Sequence, residues 1–175
     1  MSKDKETAKT GVDSYWCLDR PTAQVVRAWI AREQPVEIPW TPLSKPLSEC
    51  KVALVSSAGI SLRSDTPFDS QGERENPWWG DPSYRVIPVE ATTAELQIDH
   101  LHINASYPEQ DINCVLPLQR LAELEAAGEI GAVAASHYSF MGYILRPEQL
   151  LQESVPKIAE QLVSEEVDVA LLVPV

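Results

Sequence analysis

The sequence predicts an α/β domain of three layers around a mostly parallel, Rossmann-like sheet, incomplete at its C-terminus. Short unbroken apolar runs, "CKVALVSS" after residue 49, "IGAVAAS" at 130–136 and "VDVALLVPV" at 167–175, have the length and composition of strands buried on both faces. Two stretches of helical periodicity separate the later runs. Strand, helix, strand, helix, strand in the second half implies right-handed crossovers and parallel pairing. A length of 175 residues suits one domain with a proper core.

Three segments follow from N- to C-terminus. Residues 1–13 read as a flexible polar tail, 14–48 as a helix followed by a proline-rich extended segment, and 49–175 as the α/β domain. In "LDRPTAQVVRAWIAREQ", Asp19 caps a helix, Pro21 suits its first turn, and Val25, Val26, Trp29 and Ile30 make an apolar stripe. Pro35, Pro39, Pro42 and Pro46 then exclude helix. Lys51 to Ser56 is the first strong strand, broken by Ala58-Gly59. "RSDTPFDSQGERENPWWGDPSYR" has almost no periodicity; a loop this long is either a docked lid or a surface excursion.

"YRVIPVE" and "AELQIDH" are shorter strands. A helix opens at Pro117 and stops at Gly128, with Val115, Leu118, Leu121 and Ala122 toward the core and Arg120 and Glu123 toward water. "RPEQLLQESVPKIAEQLVSEE" returns to helix with Leu150, Leu151, Val155, Ile158 and Leu162 on one side, kinked or split at Pro156. The last strand follows. It reaches Pro174-Val175, where a loop would ordinarily begin, so the ending reads as an interruption.

A formal charge of −12 argues against a nucleic-acid backbone or an anionic membrane as partner. No run has the length of a membrane span, and "MSKDKETAKTG" lacks the apolar core of a secretory signal, so a cytoplasmic location is expected. Cys17, Cys50 and Cys114 form neither a disulfide framework nor a zinc pattern.

Ligands of open α/β sheets bind beyond the carboxyl ends of the strands. Ser56, Ser57 and Gly59 follow the first strand; Asp99, His100 and His102 follow the third; His137, Tyr138, Ser139, Met141 and Gly142 follow the fourth. All three histidines therefore map to one sheet edge, with His100 and His102 pointing to the same side of an extended segment. Two readings stay open: a metal-free polar pocket, with no metal expected, or a Zn²⁺ or Fe²⁺ site on His100, His102, His137 and Asp99 serving a hydrolase or lyase. "SSAGI" lacks the dinucleotide GxGxxG spacing, and there is no GxSxG or GK[ST] motif.

Together, "VALVSSAGI", "GDPSYRVIP", "DHLHINASYPEQDIN", "PLQRLAELEAAGEIG" and "SHYSFMGYI" resemble the glycine/sarcosine/betaine reductase selenoprotein B and D-proline reductase family, from about Trp40 onward. The resemblance implies a subunit of a cytoplasmic oxidoreductase that cleaves a C–N bond of a small amine or amino acid, such as glycine, sarcosine, betaine or D-proline. It implies other reductase subunits as partners, one carrying a pyruvoyl group that holds substrate, and a thioredoxin-like or dithiol reductant. In that family the strand resembling "VDVALLVPV" leads into a selenocysteine or cysteine. The chain is thus expected to stop at an unread selenocysteine codon after Val175 and to be inactive alone; the other possibility is a non-catalytic remnant. His100, His102, His137, Ser139, Met141 and Gly142 match the family's pattern. Of these, His137 or His102 is expected to be catalytic, keeping the chalcogen ionised or protonating the departing nitrogen.

Overall fold

The computed structural model describes residues 18–32, 37, 40–76 and 79–175. The 1–13 tail, Cys17, Pro35, Pro39 and Trp78 lie outside the described residues. The chain divides into two compact units, Met1–Thr41 and Pro42–Val175. In the first, α1 (Arg20–Ile30) starts as its sequence dictates: the Thr22 N–H donates to Asp19 Oδ1 at 2.9 Å, and Pro21 occupies the first turn. Of the expected stripe, Val25, Trp29 and Ile30 are exposed.

The second unit is the α/β domain. Its centre is β1 (Lys51–Ser56), of which five of six residues are buried. On one side β7 (Val169–Val173) runs parallel to it, from Val52 against Val169 to Ser56 against Val173. On the other side two short strands share the place of one. β5 (Ala132–Val133) pairs with Lys51 and Val52, and β6 (Ser136–Phe140) pairs with Val55 and Ser56, both parallel. β3 (Tyr84–Pro88) is antiparallel to β6 and closes that edge. A separate antiparallel pair joins β2 (Ile60–Leu62) to β4 (Leu96–Ile98).

The sheet has cover on both faces, as a three-layer fold requires. Val52, Leu54, Ile87, Leu116, Leu121 and Ile130 share one cluster, into which α4 (Leu118–Ala126) sends Leu121. Val55 and Tyr138 pack oppositely against Ile158 and Leu162 of α5 (Val155–Ser164). Gly128, at φ +72°, ends the stretch after α4 in the left-handed conformation that glycine adopts at no steric cost. A π-helical turn, Leu150–Ser154, precedes α5, and Pro156 sits in the first turn of α5, where its missing N–H costs nothing.

Four expectations need correction. Ala122, Leu151 and Val155 are exposed, because α4 and the α5 region each bury a narrower stripe than their periodicity allows. The run at 130–136 forms a strand of only two residues before a gap, and the ladder resumes at Ser136, so His137, Tyr138 and Ser139 lie within a strand and not after one. The aperiodic segment contains a helix, α2 (Ser70–Glu75), capped by Asp69. Finally, β7 is not buried on both faces: among the described residues it pairs only with β1, and Leu171 and Leu172 are 46% and 68% exposed.

Candidate functional site

Close approach of backbones defines the carboxyl end of β1. The Ser57 N–H continues the ladder to the Val173 carbonyl at 3.1 Å, and the Ser57 hydroxyl accepts the Val175 N–H at 2.8 Å. Gly59 takes φ +60°, and a Cβ there would lie 2.4 Å from Met141 Sδ and 3.4 Å from His100 Cβ. A Cβ on Gly142 would lie 2.8 Å from the Ser57 carbonyl oxygen, 3.0 Å from that of Val175 and 3.2 Å from His100 Nε2. Ser57, Gly59, His100, Met141, Gly142 and Val175 therefore meet at one place, and both glycines are there because nothing larger fits.

The two neighbouring histidines lie close together with their ring planes crossed. β4 ends at Ile98, and residues 101–103 turn, so the rings of His100 and His102 stand edge to face at 87°, centroids 5.9 Å apart. His100 is buried. Its Nδ1 accepts the His102 N–H at 3.1 Å, which leaves the proton of the neutral ring on Nε2, a buried atom with no hydrogen-bond partner. Burial, and secondarily the charge of His102, hold its pKa below the ordinary histidine value. The His102 side chain is half exposed, stacks at 4.1 Å on Tyr143, and places Nε2 2.8 Å from Oε1 of Glu73.

Glu73 escapes sequence reasoning because it lies in the aperiodic segment, and no spacing links it to the histidines. The structure shows how it arrives. Asp99 Oδ2 accepts from both Ser61 Oγ (2.9 Å) and the Phe68 N–H (3.2 Å), and Asp81 Oδ2 accepts the Asp69 N–H at 2.9 Å. Arg85 donates to the carbonyls of Thr66 and Pro67 and lies 4.1 Å over the Phe68 ring. Trp79 stands against Gly72. The segment is docked, and α2 carries Glu73 to His102.

The remaining expected residues are engaged elsewhere. Ser56 Oγ donates to the Val115 carbonyl at 2.8 Å. His137 is fully buried; its Nδ1 accepts the Leu54 N–H at 2.9 Å, where the interruption between β5 and β6 leaves that donor without a strand partner. Burial pushes its pKa down to about 4 against the opposing pull of Glu165. Ser139 Oγ accepts the Ile60 N–H at 2.8 Å. Tyr138 faces the other side of the sheet, where burial, with Glu165 adding to it, raises its pKa.

Among the described residues no group of three or more His, Cys, Asp or Glu is arranged to hold a metal ion. Cys50 is buried with Sγ against the Lys45 and Pro46 carbonyls, at the opposite end of β1, and Cys114 is exposed. Surface hollows bounded by Arg63, Gln97, Ile98 and Pro108, and by Leu62, Pro88 and Glu90, contain no histidine. The strand ends instead gather backbone carbonyls, two imidazoles and one buried carboxylate. No helix among the described residues is long and apolar enough to cross a membrane.

Residues 30–174 match the family model described as glycine/sarcosine/betaine reductase selenoprotein B. The chain is 35% identical over 133 residues to the D-proline reductase subunit gamma of Acetoanaerobium sticklandii, covering 76% of the chain and 52% of that relative. It is 29% identical over 106 residues to the glycine reductase complex component B subunit gamma of Carboxydothermus hydrogenoformans, covering 60% of the chain and 23% of that relative. The chain thus spans about half the length of the first and about a quarter of the second. No solved structure matches it.

Proposed function

Since the chain belongs to the glycine/sarcosine/betaine reductase selenoprotein B family, we propose that it serves as part of a reductase subunit that cleaves the C–N bond of a small amine or amino acid. The observation that carries this is the coincidence of family and geometry. The matched residues include the strand-end cluster of Ser57, Gly59, His100, Met141 and Gly142, and His102 with its carboxylate adjoins it.

In this reading a selenolate or thiolate enters beside the end of β7, next to Gly142. It attacks the carbon adjacent to nitrogen in a substrate held by a partner subunit, in the manner of a pyruvoyl Schiff base. The C–N bond breaks, its electron pair passes to nitrogen, and the His102 imidazolium supplies the proton. A neighbouring cysteine thiolate then attacks the chalcogen of the carbon adduct, and the carbon leaves with the bonding pair and takes a proton as the reduced product. A dithiol reduces the resulting chalcogen–sulfur bond by exchange. His102 takes the acid role in preference to His137, because the His137 Nδ1 is occupied by Leu54 and the ring is sealed from solvent. The setting is cytoplasmic, with the reducing partners the chemistry needs.

The test is to express the gene with selenocysteine insertion enabled, purify its product with the proteins that copurify, and supply dithiol with glycine, sarcosine, betaine or D-proline. Dithiol-dependent loss of one of these, with amine release or ring opening seen by NMR, supports the reading. No turnover of any of the four by the intact complex overturns it.

A further inference from the structure

We propose that Glu73 is the positioning residue for His102, so that the docked segment carrying α2 is part of the functional site. The inference rests on the reading that His102 transfers a proton, and it adds a residue that neither the sequence pattern nor the relatives' names suggest. Glu73 is 3% exposed, and neither carboxylate oxygen has a hydrogen-bond partner. A carboxylate buried in this way is costly unless a partner of opposite charge or a strong donor stands beside it. His102 Nε2, 2.8 Å from Oε1, is that partner.

The ring is held from three directions. Glu73 fixes the Nε2 edge, Tyr143 lies against one face, and the backbone N–H of His102 is tied to His100 Nδ1. About half of the side chain remains exposed, with Nε2 taken up at the carboxylate. With Nε2 paired to the carboxylate, the proton free to be passed on is the one on Nδ1. It passes to the departing nitrogen as that atom takes the C–N electron pair, while Glu73 holds the ring in place. The carboxylate touches no substrate; it acts through the ring.

Two measurements on the full chain decide this. In the wild type, the His102 Nε2–H proton should give a downfield, slowly exchanging NMR resonance, which E73Q moves upfield or abolishes while the amide spectrum of the core is unchanged. In the assembled reductase, E73Q should lower kcat about tenfold or more with KM nearly unchanged, and E73D should recover part of the loss. An identical His102 resonance in wild type and E73Q, or full turnover in E73Q, overturns the inference. Should the wild-type complex show no turnover at all, the reductase reading falls, and the resonance alone decides whether Glu73 positions His102.

Discussion

Acid should destabilise the domain through His137, at a pH where carboxylates are still ionised. The ring is buried neutral, with a native pKa of about 4 against an ordinary value of 6.5. Because the native value is the depressed one, the unfolded chain binds the proton first as pH falls. The neutral ring's contribution is complete above about pH 6.5, shrinks as the pH drops toward 4, and changes no further below that. The full gap is worth about 3 kcal/mol, of which about 2 kcal/mol is lost between pH 7 and pH 5. His137→Asn isolates the effect, since the amide oxygen can still accept the Leu54 N–H but does not titrate. Urea unfolding followed by circular dichroism at both pH values should show wild type losing about 2 kcal/mol more than the variant. His100, also held low by burial, adds a parallel loss to both proteins and cancels in the comparison. Hydrogen exchange should show the Leu54 amide protected in His137→Asn and exposed in His137→Ala. Equal pH dependence in wild type and His137→Asn would refute the reasoning.

Gly142→Ala should cost about 1–3 kcal/mol in the urea midpoint, because its Cβ meets two backbone carbonyls and the His100 ring. Gly80→Ala should be worse, with its Cβ 2.1 Å from the Tyr143 carbonyl oxygen, and should be visible as a larger fall in Tm. Asp168 accepts the Lys51 N–H and pairs with Lys45, each at 2.7 Å, which holds its carboxyl below the usual range. That contribution is present above about pH 4 and lost in stronger acid, so Asp168→Asn should flatten the steepest part of the acid-unfolding curve. Leu172→Lys on the open edge of β7 should leave stability within about 0.5 kcal/mol. It should also suppress concentration-dependent association in sedimentation velocity.

The parts of this fold written in short-range signals were legible. Lys51–Ser56 is the strand that its apolar run predicts, Asp19 and Pro21 start α1, and Pro156 divides the helical stretch before β7. What failed depends on where a strand stops. "AVAASHYSF" contains no breaker, so nothing local marks the gap after Val133 or shows that His137 is spent on the Leu54 N–H. The strand-end rule therefore grouped Ser57, Gly59, His100 and Gly142, which do lie together, and gathered His137 and Ser139 with them although both satisfy backbone donors inside the sheet. Glu73 was out of reach for another reason. Its position is set by contacts of Asp81, Asp99 and Arg85 with residues 12 to 31 places away, which no periodicity encodes.

Asp99 stands directly before His100, and its carboxylate also fastens the Phe68 N–H, at the foot of the segment that delivers Glu73. One side chain is thus a common pivot for the turn bearing the imidazoles and for the arm that reaches across to them. A shared pivot is a route by which two parts can be coupled. Where a ligand that steadies the imidazole turn also tightens the arm, drawing the arm aside must weaken that ligand by the same factor. Occupancy of the strand-end cluster could then be read remotely, as protection of amides between Thr66 and Gly72, in residues that need never touch what is bound.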